Sequence, residues 1–155
     1  DLVREVIRSV RNLRAEARIA PQQQIPRAVL SVHNDGKLAL IRSSEALITL
    51  LTKAEKLKIM DRSAEKPQKS LASVLDDVQV YLPVGDLLDV DKEIQRLKND
   101  LSKIDRDIEK GKAKLANPQF VERAPEEVIQ KEKASLADNE AKRERIRENL
   151  SSLND

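Results

Sequence analysis

Arg96, Lys103 and Lys110 recur every seven residues, with Lys92 and Arg106 on the adjacent row. Seven residues make about two helical turns, so this repeat lines the cations up as a stripe on one helix face. Lys112, Lys114 and Arg123 add charge further along, and Lys142, Arg143, Arg145 and Arg147 form a second cluster. The chemistry open to such a row is electrostatic: it tracks phosphate groups and displaces their counterions. A plainer reading competes with it. Glu93, Asp100 and Asp107 stand three residues before Arg96, Lys103 and Lys110, the spacing of ordinary surface pairs worth about 0.2–0.5 kcal/mol each.

Residues for other chemistries are scarce. The glycines at 36, 85 and 111 are isolated, so no Gly-rich phosphate loop is present. His33 is the only histidine and lies beside a turn, and no set of converging metal ligands suggests itself. Carboxylates are plentiful but fall at surface spacings along helices. The chain has no cysteine, which excludes disulfides and thiolate metal sites and allows a reducing compartment. With Tyr81 and Phe120 as the only aromatic side chains, base stacking is out of reach, and any nucleic-acid contact is to backbone and shape.

Charged residues make up 36% of the 155 residues and aromatic ones 1%, too little bulk for one thick core and better suited to long exposed helices. The net charge is only +2; residues 1–89 carry 14 Lys and Arg against 12 Asp and Glu, and residues 90–155 carry 15 against 15. A basic surface must therefore come from arrangement rather than from total charge. No apolar run approaches the length of a membrane span, and the opening Asp-Leu-Val-Arg-Glu lacks a start Met or signal-type stretch. The chain reads as a piece of a longer soluble protein.

Leu2, Val6, Val10, Leu13 and Ala17 predict a helix over residues 2 to 18, with arginines at 4, 8, 11, 14 and 18 on its remaining surface. Its apolar side needs a partner, which an upstream segment could supply. Pro21 and Pro26 end it. A β-rich run from Arg27 to His33 follows, closed by the turn and cap cluster Asn34-Asp35-Gly36. Residues 37 to 54 read as an amphipathic helix weakened at Ser43-Ser44. Residues 56–60 alternate as a strand, a polar loop runs from Asp61 to Ser70, and residues 72–75 and 78–82 form a hairpin through Asp76-Asp77. The sum is β-α-β-β-β, an α+β unit with a small mixed sheet and helices on one face.

From Asp89 the pattern changes to a heptad seam: Val90, Ile94, Leu97, Leu101, Ile104 and Ile108 are spaced 4, 3, 4, 3 and 4. Ile129, Leu136, Ile146, Leu150 and Leu153 share a second frame with Glu132, Asn139 and Arg143. A chain that folds back about residue 120 brings Leu136 opposite Ile104 and Arg143 opposite Leu97. The expected result is an antiparallel helical hairpin of about 40 Å at 1.5 Å per residue. Asn117-Pro118 stops its first helix and Pro125 with two following glutamates starts the second. Phe120 is then placed to plug the end of the seam, worth about 1.5–3 kcal/mol if buried.

Asn117-Pro-x-Phe120-Val121, then Ala124-Pro-Glu-Glu-Val128-Ile129 and Glu132-Lys133-x-x-Leu136-Ala137, resemble the C-terminal coiled-coil arm of valyl-tRNA synthetases. Arg11-Asn-Leu-Arg14-Ala-Glu16 and Val78-x-Val80-Tyr81-Leu82-Pro83 are similar to stretches that precede that arm. The resemblance covers essentially the whole chain. It implies three parts: residues 1–20 as the last helix of an anticodon-binding domain, 21–88 as a small α+β linker domain, and 89–155 as a tRNA-binding arm. It further implies a cytoplasmic parent enzyme that joins valine to its tRNA with ATP, an arm resting on the outer corner where the D and T loops meet, and no catalytic residue, metal or cofactor in this stretch. The implied partners are valine tRNA and the rest of the synthetase chain, in a monomer without membrane contact. Asn117, Pro118, Phe120 and Pro125 match the motif as structural residues of the link. The tRNA contacts are assigned on physical grounds to Arg96, Lys103, Arg106, Lys110, Lys112, Lys114, Arg123 and Arg145. Two departures stand out: Asp76-Asp77 where the family often has glycines, implying a longer or strained turn, and Arg143 where it often has Leu, implying a hairpin weaker towards its base. A structural coiled coil packing on protein is the alternative.

Overall fold

A computed structural model describes residues 1–60 and 66–154. Residues 61–65 of the expected polar loop, and residue 155, lie outside the described residues. The chain forms two compact units, one of residues 1–90 with 152–155 and one of residues 91–151.

The first unit contains α1 (Leu2–Glu16), β1 (Ile25–Val32), α2 (Asp35–Ser43), α3 (Glu45–Thr52), β2 (Ala54–Met60), β3 (Ser70–Leu75) and β4 (Val78–Pro83). Its sheet has the order β2-β1-β4-β3, with β1 parallel to β2 and the other neighbours antiparallel. This is the expected α+β unit with a mixed sheet. The helix read over residues 37–54 is two helices that meet at Ser44, as the serine pair foreshadowed, and Asn34 caps the first through Oδ1, which accepts from Lys37 N at 3.0 Å.

The Asp76-Asp77 turn stays at two residues: Leu75 pairs with Val78, and Asp77 takes the left-handed conformation at φ 58. It is not lengthened. His33 N donates to Asp77 O at 2.8 Å, and Lys37 Nζ lies 3.1 Å from Asp77 Oδ2, so α2 and the end of β1 hold the turn.

Strand alternation sorts the core. Ala28, Leu30 and Val32 of β1 share a face with Val78, Val80 and Leu82 of β4, and all are buried. Val6, Val10 and Leu13 on the inner side of α1 are fully buried, and α1 lies against β3, β4, α2 and α3. Its apolar side thus finds its partner inside this unit rather than upstream.

Arg14 departs from the expectation of a surface residue. It is buried, and its guanidinium donates to Thr52 O at 2.7 Å, to Ala20 O at 2.8 Å and to Gln23 O. Burial lowers its pKa from the usual arginine value, yet the three carbonyls supply the acceptors a buried cation requires. One side chain thereby ties the C-terminus of α1, the Pro21 connector and the end of α3 together. The end of α1 fits this role: Arg18 is left-handed at φ 58, and Ile19 N returns to Arg14 O at 2.9 Å, a Schellman closure with Ile19 buried.

Arg14→Met keeps the aliphatic bulk but strips the donors and leaves the buried Thr52 carbonyl without its partner. It should lower stability by about 2–4 kcal/mol in urea unfolding followed by circular dichroism. An unchanged unfolding midpoint would contradict the role given to Arg14.

Candidate nucleic-acid interface

The second unit is built from α4 (Val90–Ala116), the short α5 (Pro118–Arg123) and α6 (Glu126–Asn154). The two heptad frames are both realised. On α4, Leu97 and Ile108 are buried and Ile94, Leu101 and Ile104 half-buried; on α6, Ile129 is buried and Glu132, Leu136, Asn139, Arg143 and Ile146 are half-buried. Most residues between them are exposed, with Glu93, Arg96, Asp100 and Asp105 half-buried on α4, as expected for a seam between two helices and its flanks.

The register differs from the expected one. Leu136 Cδ1 lies 3.6 Å from where a Cβ on Gly111 would stand, so Leu136 packs at Gly111 and not at Ile104. Arg143 Nη1 lies 3.5 Å from Asp105 Oδ1, far from Leu97, and Lys114 Nζ bonds Glu132 Oε1 at 2.9 Å. The closure is shifted by one heptad, and that is why seam still meets seam. The cause is the link. Asn117 does end α4, but its Oδ1 also accepts from Gln119 N at 3.1 Å and starts α5, with Pro118 in the first turn. The chain therefore continues as helix for another six residues and reverses at Ala124-Pro125, not at residue 120. Pro125 stands just before α6 and its carbonyl accepts from Val128 N and Ile129 N at 3.0 and 3.1 Å.

The same shift moves the weak layer. Asp105 and Arg143 meet about midway along α4, so the polar interruption lies in the middle of the hairpin rather than towards its base. Phe120 is half-buried rather than sealed in the seam, and Lys114 Nζ stands 5.0 Å from its ring centroid. Phe120 from α5, Lys114 from α4 and Glu132 from α6 thus join all three helices, a cation held between a ring face and a carboxylate.

The eight cations assigned to binding separate into two groups. Lys103, Arg106, Lys110, Lys112 and Arg123 are exposed and have no ion pair among the described residues. Arg96 is half-buried and occupied: its guanidinium donates to Glu93, and Nη1 donates to Asp100 Oδ2 at 3.0 Å. The Glu93 hydrogen bond raises its pKa, so Arg96 is a fixed part of the helix surface. Because Asp100 is engaged there, Lys103 is left without the carboxylate that its spacing suggested. Lys114 is tied to Glu132, and Arg145 Nη1 bonds Glu148 Oε2 at 3.1 Å. Lys133 belongs to no heptad row of cations, so spacing alone does not mark it. It is exposed and lies one residue beyond the partner of Lys114, which adds charge at the tip. What this surface can do chemically is bind anions; among the described residues no group of three or more acidic, His or Cys side chains could hold a metal. No helix of the described residues is long and apolar enough to cross a membrane.

Residues 89–154 match the family model described as the valyl tRNA synthetase tRNA binding arm. The valine–tRNA ligase of Geobacter sulfurreducens is 38% identical over 138 residues, which is 89% of this chain and 15% of that protein. Those of Prochlorococcus marinus strain MIT 9313 and of Synechocystis sp. are 39% and 33% identical, over 96% and 98% of this chain and 16% and 17% of theirs. The chain belongs to the valyl-tRNA synthetase family. It spans only 15–17% of the length of these relatives.

Within this synthetase arm Gly111 is a helix-interior glycine whose added Cβ would make only an ordinary contact with Leu136. Gly111→Ala should therefore stabilise the arm by about 0.5–1 kcal/mol, the helix-propensity difference, read as a raised unfolding midpoint. A destabilised variant would mean that α4 and α6 approach more closely at this layer than the 3.6 Å contact indicates.

Proposed function

We propose that this chain is the tRNA-holding part of a valine–tRNA ligase and takes no direct part in the chemistry. Its hairpin lies along the outer corner of the tRNA, where the D and T loops meet, while ATP-dependent attachment of valine takes place elsewhere in the synthetase. The observation that carries this reading is the match of residues 89–154 to the tRNA binding arm, on a hairpin whose Lys103, Arg106 and Lys110 are exposed and unpaired among the described residues. Lys103 and Arg106 fall at heptad positions away from the seam, and Lys110 lines a groove beside it with Lys114 and Glu132, so all three can meet a phosphate backbone from solvent. Lys112 and Arg123 extend the same charge towards the tip. Arg96, Lys114 and Arg145, already held by carboxylates, contribute less than their spacing suggested. With no aromatic platform, recognition is of shape and backbone, and discrimination among tRNAs belongs to the rest of the synthetase. The contribution to catalysis is positional: a tRNA body held in place lowers the entropic cost of presenting its acceptor end.

The test is fluorescence anisotropy with valine tRNA and a non-cognate tRNA at two salt concentrations, for the unaltered chain and for Lys103→Glu/Arg106→Glu/Lys110→Glu. Salt-sensitive binding should fall at least tenfold in the triple variant, with helical content by circular dichroism unchanged. Equal binding by the variant would remove the stripe from the interface and favour a structural hairpin that packs on protein.

A further inference from the structure

The arm is not the only place where cations stand without carboxylates. On the sheet of the first unit, Arg27 of β1 is the direct register partner of Lys56 on β2, and Val29 is the partner of Lys58. Paired residues and alternate residues share a face, so Arg27, Lys56 and Lys58 project from the same side of the sheet. Neighbouring strands are about 4.8 Å apart and alternate residues about 6.6 Å, so the three form one tight group. All three are exposed, and none has an ion pair among the described residues. The only carboxylate in the four strands is Glu55, which alternation turns to the opposite face. By contrast the exposed Arg4 and Arg8 of α1, and Arg18 just beyond its end, stand near Asp1, Glu5 and Glu16 in the chain.

A like-charge pair directly across two strands is destabilising, and no carboxylate of the described strands offsets it on this face. Edge strands often carry lysine to block sheet-to-sheet aggregation, and β2 is an edge. That explanation covers Lys56 and Lys58 but not Arg27, which belongs to an inner strand. What offsets all three is an anionic ligand. We propose that Arg27, Lys56 and Lys58 form a second RNA-phosphate contact surface, on the sheet rather than on the arm. A protein partner fits less well, because a stable protein interface has an apolar centre. The one large exposed apolar residue on this face, Val74, stands on β3 at the far edge of the sheet. This inference rests on the tRNA-binding reading above. It extends that reading by adding a phosphate contact outside the arm.

The experiment is a salt titration of valine-tRNA binding by the full chain. The variants are Arg27→Gln/Lys56→Gln/Lys58→Gln, the arm triple variant, and a charge-matched control, Arg4→Gln/Arg8→Gln/Arg18→Gln. The sheet variant should bind about tenfold more weakly near 0.1 M salt, and its plot of log affinity against log salt should be shallower by about two to three, one for each lost phosphate contact. The control should change little. Arg27→Gln alone, which leaves the edge lysines in place, should lower the slope by about one and serves if the triple variant aggregates. Lys56→Arg/Lys58→Arg should bind as the unaltered chain does. Unaltered binding by the sheet variants, or an equal loss in the control, overturns the sheet surface while leaving the arm reading intact. Loss in the sheet variant with none in the arm variant overturns the arm assignment and keeps this one, whereas no binding by the unaltered chain overturns both.

Discussion

A single apolar seam decides what every other residue of the hairpin can do. Two helices have only one line of contact, so residues on it are withdrawn from water and most of the rest of each helix faces solvent. Leu97, Ile108 and Ile129 are the buried points of that line. Lys103 and Arg106 fall at heptad positions of α4 away from it, and Lys110 lines a groove beside it. The seam is thin, interrupted by Gly111, Asn139 and the Asp105–Arg143 pair. A thin seam is enough for a projection that presents charge along its length and encloses nothing.

The first unit meets the same shortage of large side chains in a different way. Tyr81 is its only aromatic residue, and its interior is made mainly of Val, Leu and Ile from the sheet, α1, α2 and α3, with a small Val29, Met60 and Tyr81 cluster on the other sheet face. Where the chain leaves α1 and crosses towards β1, Ile19 is the one buried apolar residue between Ala17 and Ile25. Arg14 ties the connector down, through three backbone carbonyls. Such a cation gives direction as well as binding, since a guanidinium accepts only certain placements of its acceptors.

In each unit some cations are exposed without an ion pair among the described residues, in a chain whose net charge is only +2. Engagement of Asp100 by Arg96, and the turning of Glu55 to the other sheet face, are the local devices that keep them so. Charge arranged in this way gives salt-dependent, shape-directed contact with a polyanion and little sequence discrimination of its own. Such contact is what the proposed tRNA-holding role requires.

The amino-acid sequence by itself determined the element types apart from α5, the two heptad frames, the weak point at Ser43-Ser44 and the two-residue turn at Asp76-Asp77. Each depends on neighbours within a few residues, where periodicity and cap or turn chemistry are legible. The family was legible too, in Asn117-Pro-x-Phe120 and Ala124-Pro-Glu-Glu. Only the tertiary structure decided the register of the hairpin. A slip of one heptad leaves every seam residue facing a seam residue, so the pattern cannot distinguish the alternatives; six helical residues of α5 select one. Only the structure, likewise, placed Arg14 inside, because the Thr52 carbonyl, distant in sequence, joins those of Ala20 and Gln23 to make its burial tolerable. The pairing of Arg27 with Lys56 was equally hidden, since parallel neighbours in a sheet are joined by a crossover and share no local pattern.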